Sequence, residues 1–244
     1  MVLVSHKRLH SPVGILTANY AYREYDRVMY SGDVHVGGSA QVRELPNLIV
    51  SKLAVGPYDN NSYLLRCRKT GAQLLIDAAA EPDRLRHLIG PDGLTAVVTT
   101  HAHGDHWQAL ATVVEETGCQ SYAPSADIDA IQGPITDPMI DGQFIHWGDC
   151  ALEVLTVGGH TAGCSMLVYR DPMGHEHLFS GDALFPGGVG KTTTPQDFDT
   201  LLTGVTAKAF DQLSDLTWVY PGHGNDTTLG RERPHLAEWK QRGW

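Results

Sequence analysis

The segment THAHGDHW at residues 100–107 constrains the fold of this chain more than any other stretch. It directly follows an apolar, β-branched run that predicts a strand. Side chains two residues apart in extended backbone point the same way, so His101 and His103 can converge on one ion. If a helix begins near Asp105, its first turn brings Asp105 and His106 to the same crevice. Three imidazoles and a carboxylate suit zinc, iron or manganese, so the segment predicts a metal site on a strand-to-helix loop.

Three more residues of ligand type stand where later strands are predicted to end. His160 lies in the segment VGGHT, Asp182 in SGDAL and His223 in PGHG. Ligands in open α/β sheets gather beyond strand ends, and the adjacent glycines let backbone approach an ion closely. With the first loop, the chain then supplies five histidines and two aspartates. That set is large enough for two ions with a carboxylate between them.

Short β-type runs alternate with helical ones from residue 48 onward, an order that predicts a layered α/β domain. Strands are predicted at 48–53, 62–67, 73–77, 94–100, 151–157, 165–169, 177–179 and 217–220. Helices are predicted at 82–89, at 105–117, directly after Pro124, at 196–213 and at 234–240. Residues 1–30 are rich in tyrosine and weakly periodic, and they predict an N-terminal arm. Residues 31–244 are predicted to form one domain.

Charge and apolar patterning exclude several classes of partner. The chain has 28 acidic against 18 basic residues, a net charge of −10, which opposes binding to nucleic acid or to an anionic membrane. No apolar run is long enough for a membrane span, and the first residues lack the apolar core of a signal peptide. A cytoplasmic location is therefore expected. The four cysteines form no C-x-x-C pair, which predicts reduced, mostly buried thiols.

The ligand-type segments together resemble the metallo-β-lactamase superfamily of hydrolases. Its pattern of H-x-H-x-D-H, G-H-T-x-G, G-D and a late G-H occurs here in order, within about residues 45 to 235. The resemblance implies an αββα sandwich, two mixed β-sheets flanked by helices, with the site at one edge. It also implies a first ion on His101, His103 and His160, a second on Asp105, His106 and His223, and Asp182 between them. Asp77 matches the family's early aspartate, which supports the ligand loop from behind, although a turn-initiating aspartate is an equal reading.

The same resemblance implies two zinc ions, with iron or manganese as alternatives, and a bridging hydroxide that attacks an acyl carbonyl. Asp105 is the predicted catalytic residue that orients this hydroxide. The substrate is expected to be a small acyl compound, and a thioester is favoured because its thiolate leaves without a general acid. An aspartate at 182, rather than the cysteine of one β-lactamase class, makes the site similar to glyoxalase II (hydroxyacylglutathione hydrolase) and its short bacterial relatives.

Two residues are predicted to bind substrate from their positions in this resemblance. Lys191 stands where glyoxalase II has a basic residue that contacts glutathione, although a solvated loop lysine is an equal reading. Asn225 stands where that enzyme has a tyrosine. The 21 residues after His223 are too few for the helical C-terminal domain of glyoxalase II, so glutathione is not expected to be the specific thiol carrier.

Other functions share these residues. A mononuclear iron persulfide dioxygenase would use His101, His160 and Asp182 as a two-histidine, one-carboxylate site. A β-lactamase or lactonase would use the same two-ion centre, and a non-catalytic metal-binding protein would keep the ligands without turnover. Metal content and a substrate panel separate these hypotheses. The sequence predicts no particular oligomeric state.

Overall fold

Two mixed β-sheets face each other across the part of the chain that a computed structural model describes, residues 30–243. The predicted N-terminal arm lies outside the described residues except for Tyr30. The first sheet contains β1 (Gln41–Glu44), β2 (Leu48–Val55), β3 (Asn60–Cys67), β4 (Gln73–Ile76), β5 (Ala96–Val98), β6 (Gln120–Pro124) and β7 (Asp137–Met139), in that spatial order. Its strands are antiparallel from β1 to β4 and parallel from β4 to β7.

The later part of the chain forms the second sheet, on the other side of the core. It contains β8 (Phe144–Trp147), β9 (Cys150–Thr156), β10 (Ser165–Arg170), β11 (Glu176–Gly181), β14 (Trp218–Pro221) and β15 (Thr227–Thr228), in the spatial order β15-β14-β11-β10-β9-β8. Only the β11–β14 pair is parallel among these strands of the described chain. A small separate hairpin, β12 (Leu184–Phe185) and β13 (Gly188–Val189), follows β11.

Helices cover the outer face of each sheet. They are α1 (Pro82–Ile89) and α2 (Leu110–Thr117) on the first sheet, and α3 (Pro195–Val205), the four-residue α4 (Leu229–Glu232) and α5 (Leu236–Arg242) on the second. Thr194 caps α3 by accepting a hydrogen bond from the backbone of Asp197, and Pro195 at the first position fits the helical φ. Five π-helical residues, Thr206–Phe210, extend α3.

Alternating burial along the strands explains the four layers. In β10, Leu167 and Tyr169 belong to the core between the sheets, whereas Met166 and Val168 pack on the helical side with residues such as Phe198. On the first sheet, the outward residues of β2 to β5 pack against α1 and α2 in the same way. Central strands such as β10 therefore have two apolar faces, as a sheet covered on both sides requires. The predicted αββα fold is confirmed.

Two predicted helices differ from the structure. The helix expected from residue 105 begins only at Leu110, because a 3₁₀ turn, Gly104–His106, is followed by Trp107 with φ of −141°, outside the helical region. The helix expected after Pro124 is a 3₁₀ turn, Ile128–Ala130, since Gly133 and Pro134 follow too soon for a longer helix. Several short strands, among them β1, β6, β7 and β8, were not predicted. No helix among residues 30–243 has the length and apolar character needed to cross a membrane.

Candidate metal centre

Seven side chains from both sheets meet at one edge of the sandwich. They come from the loop after β5 (His101, His103, Asp105, His106), the loop between β9 and β10 (His160), the end of β11 (Asp182) and the end of β14 (His223). Their ligand atoms form two groups, each within 4.8 Å: His101, His103, His160 and Asp182 in the first group, and Asp105, His106 and His223 in the second group. The structure therefore brings all seven predicted ligands together.

Within the first group, each imidazole offers a nitrogen to the same small space. His101 Nε2 lies 3.1 Å from His103 Nδ1, and Asp182 Oδ2 lies 3.4 Å from His160 Nε2 and 3.9 Å from His101 Nε2. The rings of His101 and His160 have centroids only 4.8 Å apart. Three nitrogens and one carboxylate oxygen so arranged are a donor set that zinc or iron accepts.

The second group repeats this arrangement on the other side of Asp182. His106 Nε2 lies 3.2 Å from His223 Nε2, and Asp105 Oδ2 lies 3.4 Å from His223 Nε2. Asp182 reaches this group as well, with Oδ1 at 3.4 Å from His106 Nε2 and Oδ2 at 3.5 Å from His223 Nε2. Asp182 is therefore the side chain that both groups share.

The ring nitrogens that face away from the centre are held by hydrogen bonds to the protein. His160 Nδ1 bonds to the backbone carbonyl of Lys191 at 2.6 Å, and His223 Nδ1 bonds to the carbonyl of Tyr58 at 2.8 Å. A carbonyl oxygen can only accept a hydrogen bond, so each of these Nδ1 atoms carries the ring proton. The Nε2 atom of each ring therefore keeps its lone pair for a metal ion. Histidines that ligate metal are oriented by such partners.

Asp77 performs the same task for His106 and for the ligand loop. Its carboxylate accepts hydrogen bonds from Thr100 N at 2.8 Å, from Thr100 Oγ1 at 2.9 Å and from His106 Nδ1 at 2.8 Å. Asp77 is buried and has a φ of 55°, a left-handed conformation that is uncommon outside glycine. A buried residue in this conformation is a site of backbone strain, as is found near functional sites. The predicted supporting role of Asp77 agrees with these contacts.

Electrostatics at the centre favour a cation. Burial opposes protonation of His106, but Asp77 and Asp182 outweigh it and raise the pKa of His106 to about 10. Burial also opposes ionisation of Asp182, yet the imidazoles of His106, His160 and His223, each 3.4–3.5 Å from its carboxylate, hold its pKa well below the usual range. Burial and the neighbouring imidazoles lower the pKa of His101 well below its usual value. The carboxylates thus stay ionised, and the centre attracts positive charge.

Two buried polar atoms test whether a metal fits this site. His160 Nε2 and Asp182 Oδ1 have no hydrogen-bond partner within the described chain. Buried polar atoms are rarely left unsatisfied, and these two point into the space between the ligand groups. A Cβ at Gly222 would lie 2.2 Å from Asp182 Oδ1 and 2.8 Å from His106 Cε1, so only glycine allows this close approach. The residues present fit a pair of metal ions.

Asp105 is a half-buried ligand that borders a cavity. Its Oδ2 accepts a hydrogen bond from Asn60 Nδ2 at 2.9 Å, and this bond, together with the nearby His106 and His223, lowers the pKa of Asp105 against the effect of burial. A cavity of about 490 Å³ adjoins it, lined by Tyr58, Gly104, Asp105, Trp107 and Gln108. A substrate in this cavity would reach the carboxylate directly.

The side chains of the two predicted substrate-binding residues are not part of the ligand cluster. Lys191 is exposed, and its contribution within the described chain is the backbone carbonyl that holds His160. Asn225 is also exposed, two residues after His223. Cys164 is fully buried beside the ligand loop, and all four cysteines are free and buried, as expected.

Some contributors to the site were not predicted. Asn60, the carbonyl of Tyr58 and the carbonyl of Lys191 all orient ligands. Backbone carbonyls have no residue-type signal, so no sequence pattern could identify them. Asn60 had a weak signal, since the polar run Asn60-Asn61-Ser62 begins an otherwise apolar strand.

The chain is similar in sequence and in fold to several known proteins. A family model described as "Metallo-beta-lactamase superfamily" matches residues 55–223. A hydroxyacylglutathione hydrolase of Polaromonas sp. is 33% identical over 198 residues, covering 78% of this chain and 74% of the relative. The human mitochondrial persulfide dioxygenase ETHE1 is 36% identical over 168 residues, covering 66% and 63%. A solved protein in a di-iron-bound form is 30% identical with a TM-score of 0.62, covering 75% of this chain and 96% of that one.

Proposed function

Because the chain belongs to the metallo-beta-lactamase superfamily, whose members are generally metal-dependent hydrolases, we propose that it is a two-metal hydrolase of acyl bonds, with a thioester as the preferred substrate. The observation that carries this proposal is Asp182, which lies within 3.4–3.5 Å of both ligand groups. His101, His103 and His160 would hold one ion, Asp105, His106 and His223 the other, and Asp182 both. Zinc is the proposed metal, with iron or manganese as alternatives.

When two neighbouring ions are bound, they lower the pKa of a water molecule toward neutrality, so that it can act as the nucleophile, and they polarise the carbonyl that it attacks. The protein's part is to place and orient the groups around them. Asn60 holds the carboxylate of Asp105 at 2.9 Å, and the lowered pKa keeps that carboxylate ionised. Asp105 can therefore accept a hydrogen bond from the attacking water and direct it toward a substrate in the adjoining cavity.

The protonation states favour a leaving group that needs no acid. Asp105 and Asp182 both have lowered pKa values, so neither is a carboxylic acid near neutral pH. An amide or lactam nitrogen must be protonated or stabilised as it leaves, whereas a thiolate is stable on its own. The relationship to a hydroxyacylglutathione hydrolase supports the same choice.

The test combines metal analysis with a substrate panel. Purified protein, stripped and reloaded with Zn²⁺, Fe²⁺ or Mn²⁺, is assayed with acyl thioesters of glutathione and of a smaller thiol, an aryl ester, a lactone and a chromogenic cephalosporin. We expect two ions per chain and the highest kcat/KM for a thioester. Faster turnover of the cephalosporin or lactone would overturn the thioester choice. Two bound ions without turnover of any substrate would instead indicate a non-catalytic metal-binding protein.

A second candidate function is favoured by one specific observation. The chain is 36% identical over 168 residues to human persulfide dioxygenase. The first group also contains a two-histidine, one-carboxylate set, namely His101, His160 and Asp182. The same purified protein tests it. One iron per chain with oxygen uptake on a persulfide would replace the hydrolase proposal, and the absence of oxygen uptake by the iron-loaded protein would remove the alternative.

A further inference from the structure

Asp127 is a buried carboxylate that the proposed metal centre does not use as a ligand. It precedes the 3₁₀ turn Ile128–Ala130, and only 3% of its surface is exposed. Its Oδ2 accepts hydrogen bonds from Ala102 N at 2.9 Å and from Thr161 Oγ1 at 2.6 Å, and its Oδ1 accepts one from Gly163 N at 2.7 Å. Three donors from two separate loops therefore converge on one side chain.

The two loops are those that carry the imidazoles of the first group. Ala102 lies between His101 and His103 in the loop after β5, on the first sheet, whereas Thr161 directly follows His160 in a loop of the second sheet. A Cβ at Gly163 would lie only 2.9 Å from Asp127 Cγ, so this position requires glycine for the carboxylate to approach. The contact is therefore closely packed on the side of the His160 loop.

We propose that Asp127 is a positioning residue that fixes the loop of His160 against the loop of His101 and His103 and so sets the affinity of the first group for its ion. This inference rests on the proposed metal centre, and it adds a residue outside the ligand set that supports the first group. Asp77 bonds to His106 and therefore supports the second group, whereas Asp127 supports the first group through the backbone. Asp77 also reaches His101, but only through Thr100 Oγ1, which lies 3.0 Å from His101 Nδ1.

The substitution Asp127→Asn separates this role from simple packing. It keeps the size of the side chain but replaces one acceptor oxygen with an NH₂ group. In either amide orientation, the NH₂ then faces the backbone N–H of Ala102 or that of Gly163, and one anchor is lost. The fold keeps a second link between these loops, because Ser165 N donates to Thr100 O at 3.1 Å.

Zinc affinity, measured by competition with a chromophoric chelator, is the first readout. It is compared in two backgrounds: His223→Ala, which leaves only the first group complete, and His103→Ala, which leaves only the second group complete. We expect Asp127→Asn to weaken zinc binding about 10- to 100-fold in the His223→Ala background and by less than about threefold in the His103→Ala background. Asp77→Asn is the matched control and should weaken zinc binding more in the His103→Ala background, because Asp77 bonds directly to His106 and reaches His101 only through Thr100. Equal effects of Asp127→Asn in both backgrounds, or no effect, would overturn the proposal.

Amide hydrogen exchange in the metal-free protein is the second readout and does not depend on activity. The amides of Ala102 and Gly163 should exchange faster in Asp127→Asn than in the unmodified protein, and unchanged exchange would contradict the proposal. If Asp127→Asn does not fold, Thr161→Val takes its place, because it removes one of the three hydrogen bonds and should weaken the first group by a smaller factor. A failure of the unmodified protein to bind two ions would count against the proposed function, while the exchange measurement would still decide the role of Asp127.

Discussion

Two buried polar clusters lie at opposite ends of one short loop, and they differ in how completely the protein satisfies them. The loop begins with His223 of the metal centre and ends with Asp226, which forms an anchor cluster with Lys52. Lys52 Nζ donates to Gly32 O at 2.7 Å, to Gly224 O at 2.7 Å and to Asp226 Oδ1 at 2.6 Å. All three ammonium protons are thereby used.

Both carboxylate oxygens of Asp226 in the anchor cluster also have hydrogen-bond donors. Asp226 Oδ2 accepts hydrogen bonds from Tyr30 Oη at 2.8 Å and from Trp218 Nε1 at 2.8 Å. In the metal centre, by contrast, His160 Nε2 and Asp182 Oδ1 have no partner in residues 30–243, and imidazole nitrogens face each other at 3.1–3.2 Å. A closed network of charges serves the fold, whereas an open one is prepared for a ligand. The predictions that follow test this difference.

The largest expected effect is on catalysis. Asp182→Ala removes the carboxylate that both ligand groups share, and we expect kcat/KM to fall by about 10³-fold or more, about 4 kcal/mol of transition-state stabilisation. The metal-free protein should still fold, although the loss of the contacts with His106, His160 and His223 lowers its free energy of unfolding. Steady-state kinetics and denaturant unfolding measure the two quantities. Activity close to that of the unmodified protein would contradict the two-metal mechanism.

The anchor cluster should respond in the opposite way. Lys52→Met leaves Asp226 buried without its counter-charge, and we expect a loss of about 3–5 kcal/mol in the free energy of unfolding. Lys69→Met is the matched control, since the Lys69–Asp149 pair is largely exposed and its loss should change the free energy of unfolding little. Tyr30→Phe removes one hydrogen bond to Asp226 and should lie between them, at about 1 kcal/mol. Equal losses in Lys52→Met and Lys69→Met would remove the distinction between the clusters.

The pH dependence of the metal-free protein should reveal the open cluster. His106 has its pKa raised to about 10 in the folded state against 6.5 when unperturbed, so its contribution to stability is complete below pH 6.5 and is lost as the pH rises through about 10. We therefore expect the urea midpoint of chelator-treated protein to fall between about pH 6 and pH 10. Asp77→Asn should flatten this slope, because it removes the partner that raises the pKa most. A midpoint that rises over this range would contradict the proton held at His106.

The smallest effect is expected at the exposed rim of the centre. Lys191→Ala removes a solvated charge, while its backbone carbonyl still holds His160. We expect KM for an anionic thioester to rise by less than about fivefold, with kcat and zinc content unchanged, since an exposed ion pair is worth up to about 1 kcal/mol. Lys240→Ala, an exposed lysine on α5, is the control. A large drop in kcat would show that Lys191 acts within the centre.

Sequence patterns predicted the layers and the ligands better than the boundaries between elements. The runs that became β2, β3, β4 and β10 are apolar on both faces and were predicted within a few residues. The start of α2 was misplaced because the residues around His106 follow the needs of the ligand loop rather than helical propensity. The short strand β7 was missed, since three residues containing a proline have no visible period.

The sequence by itself determined which side chains are available as ligands and in what order they occur, because each stands in a short motif beside a strand end. Only the tertiary structure decided what holds them. The carbonyls of Lys191 and Tyr58 lie 31 and 165 residues from the histidines that they orient, and Lys52 lies 174 residues from Asp226. Such contacts depend on where the two sheets bring distant loops together. They leave no local periodicity or motif, so Asp127 and the anchor cluster became visible only once the chain was folded.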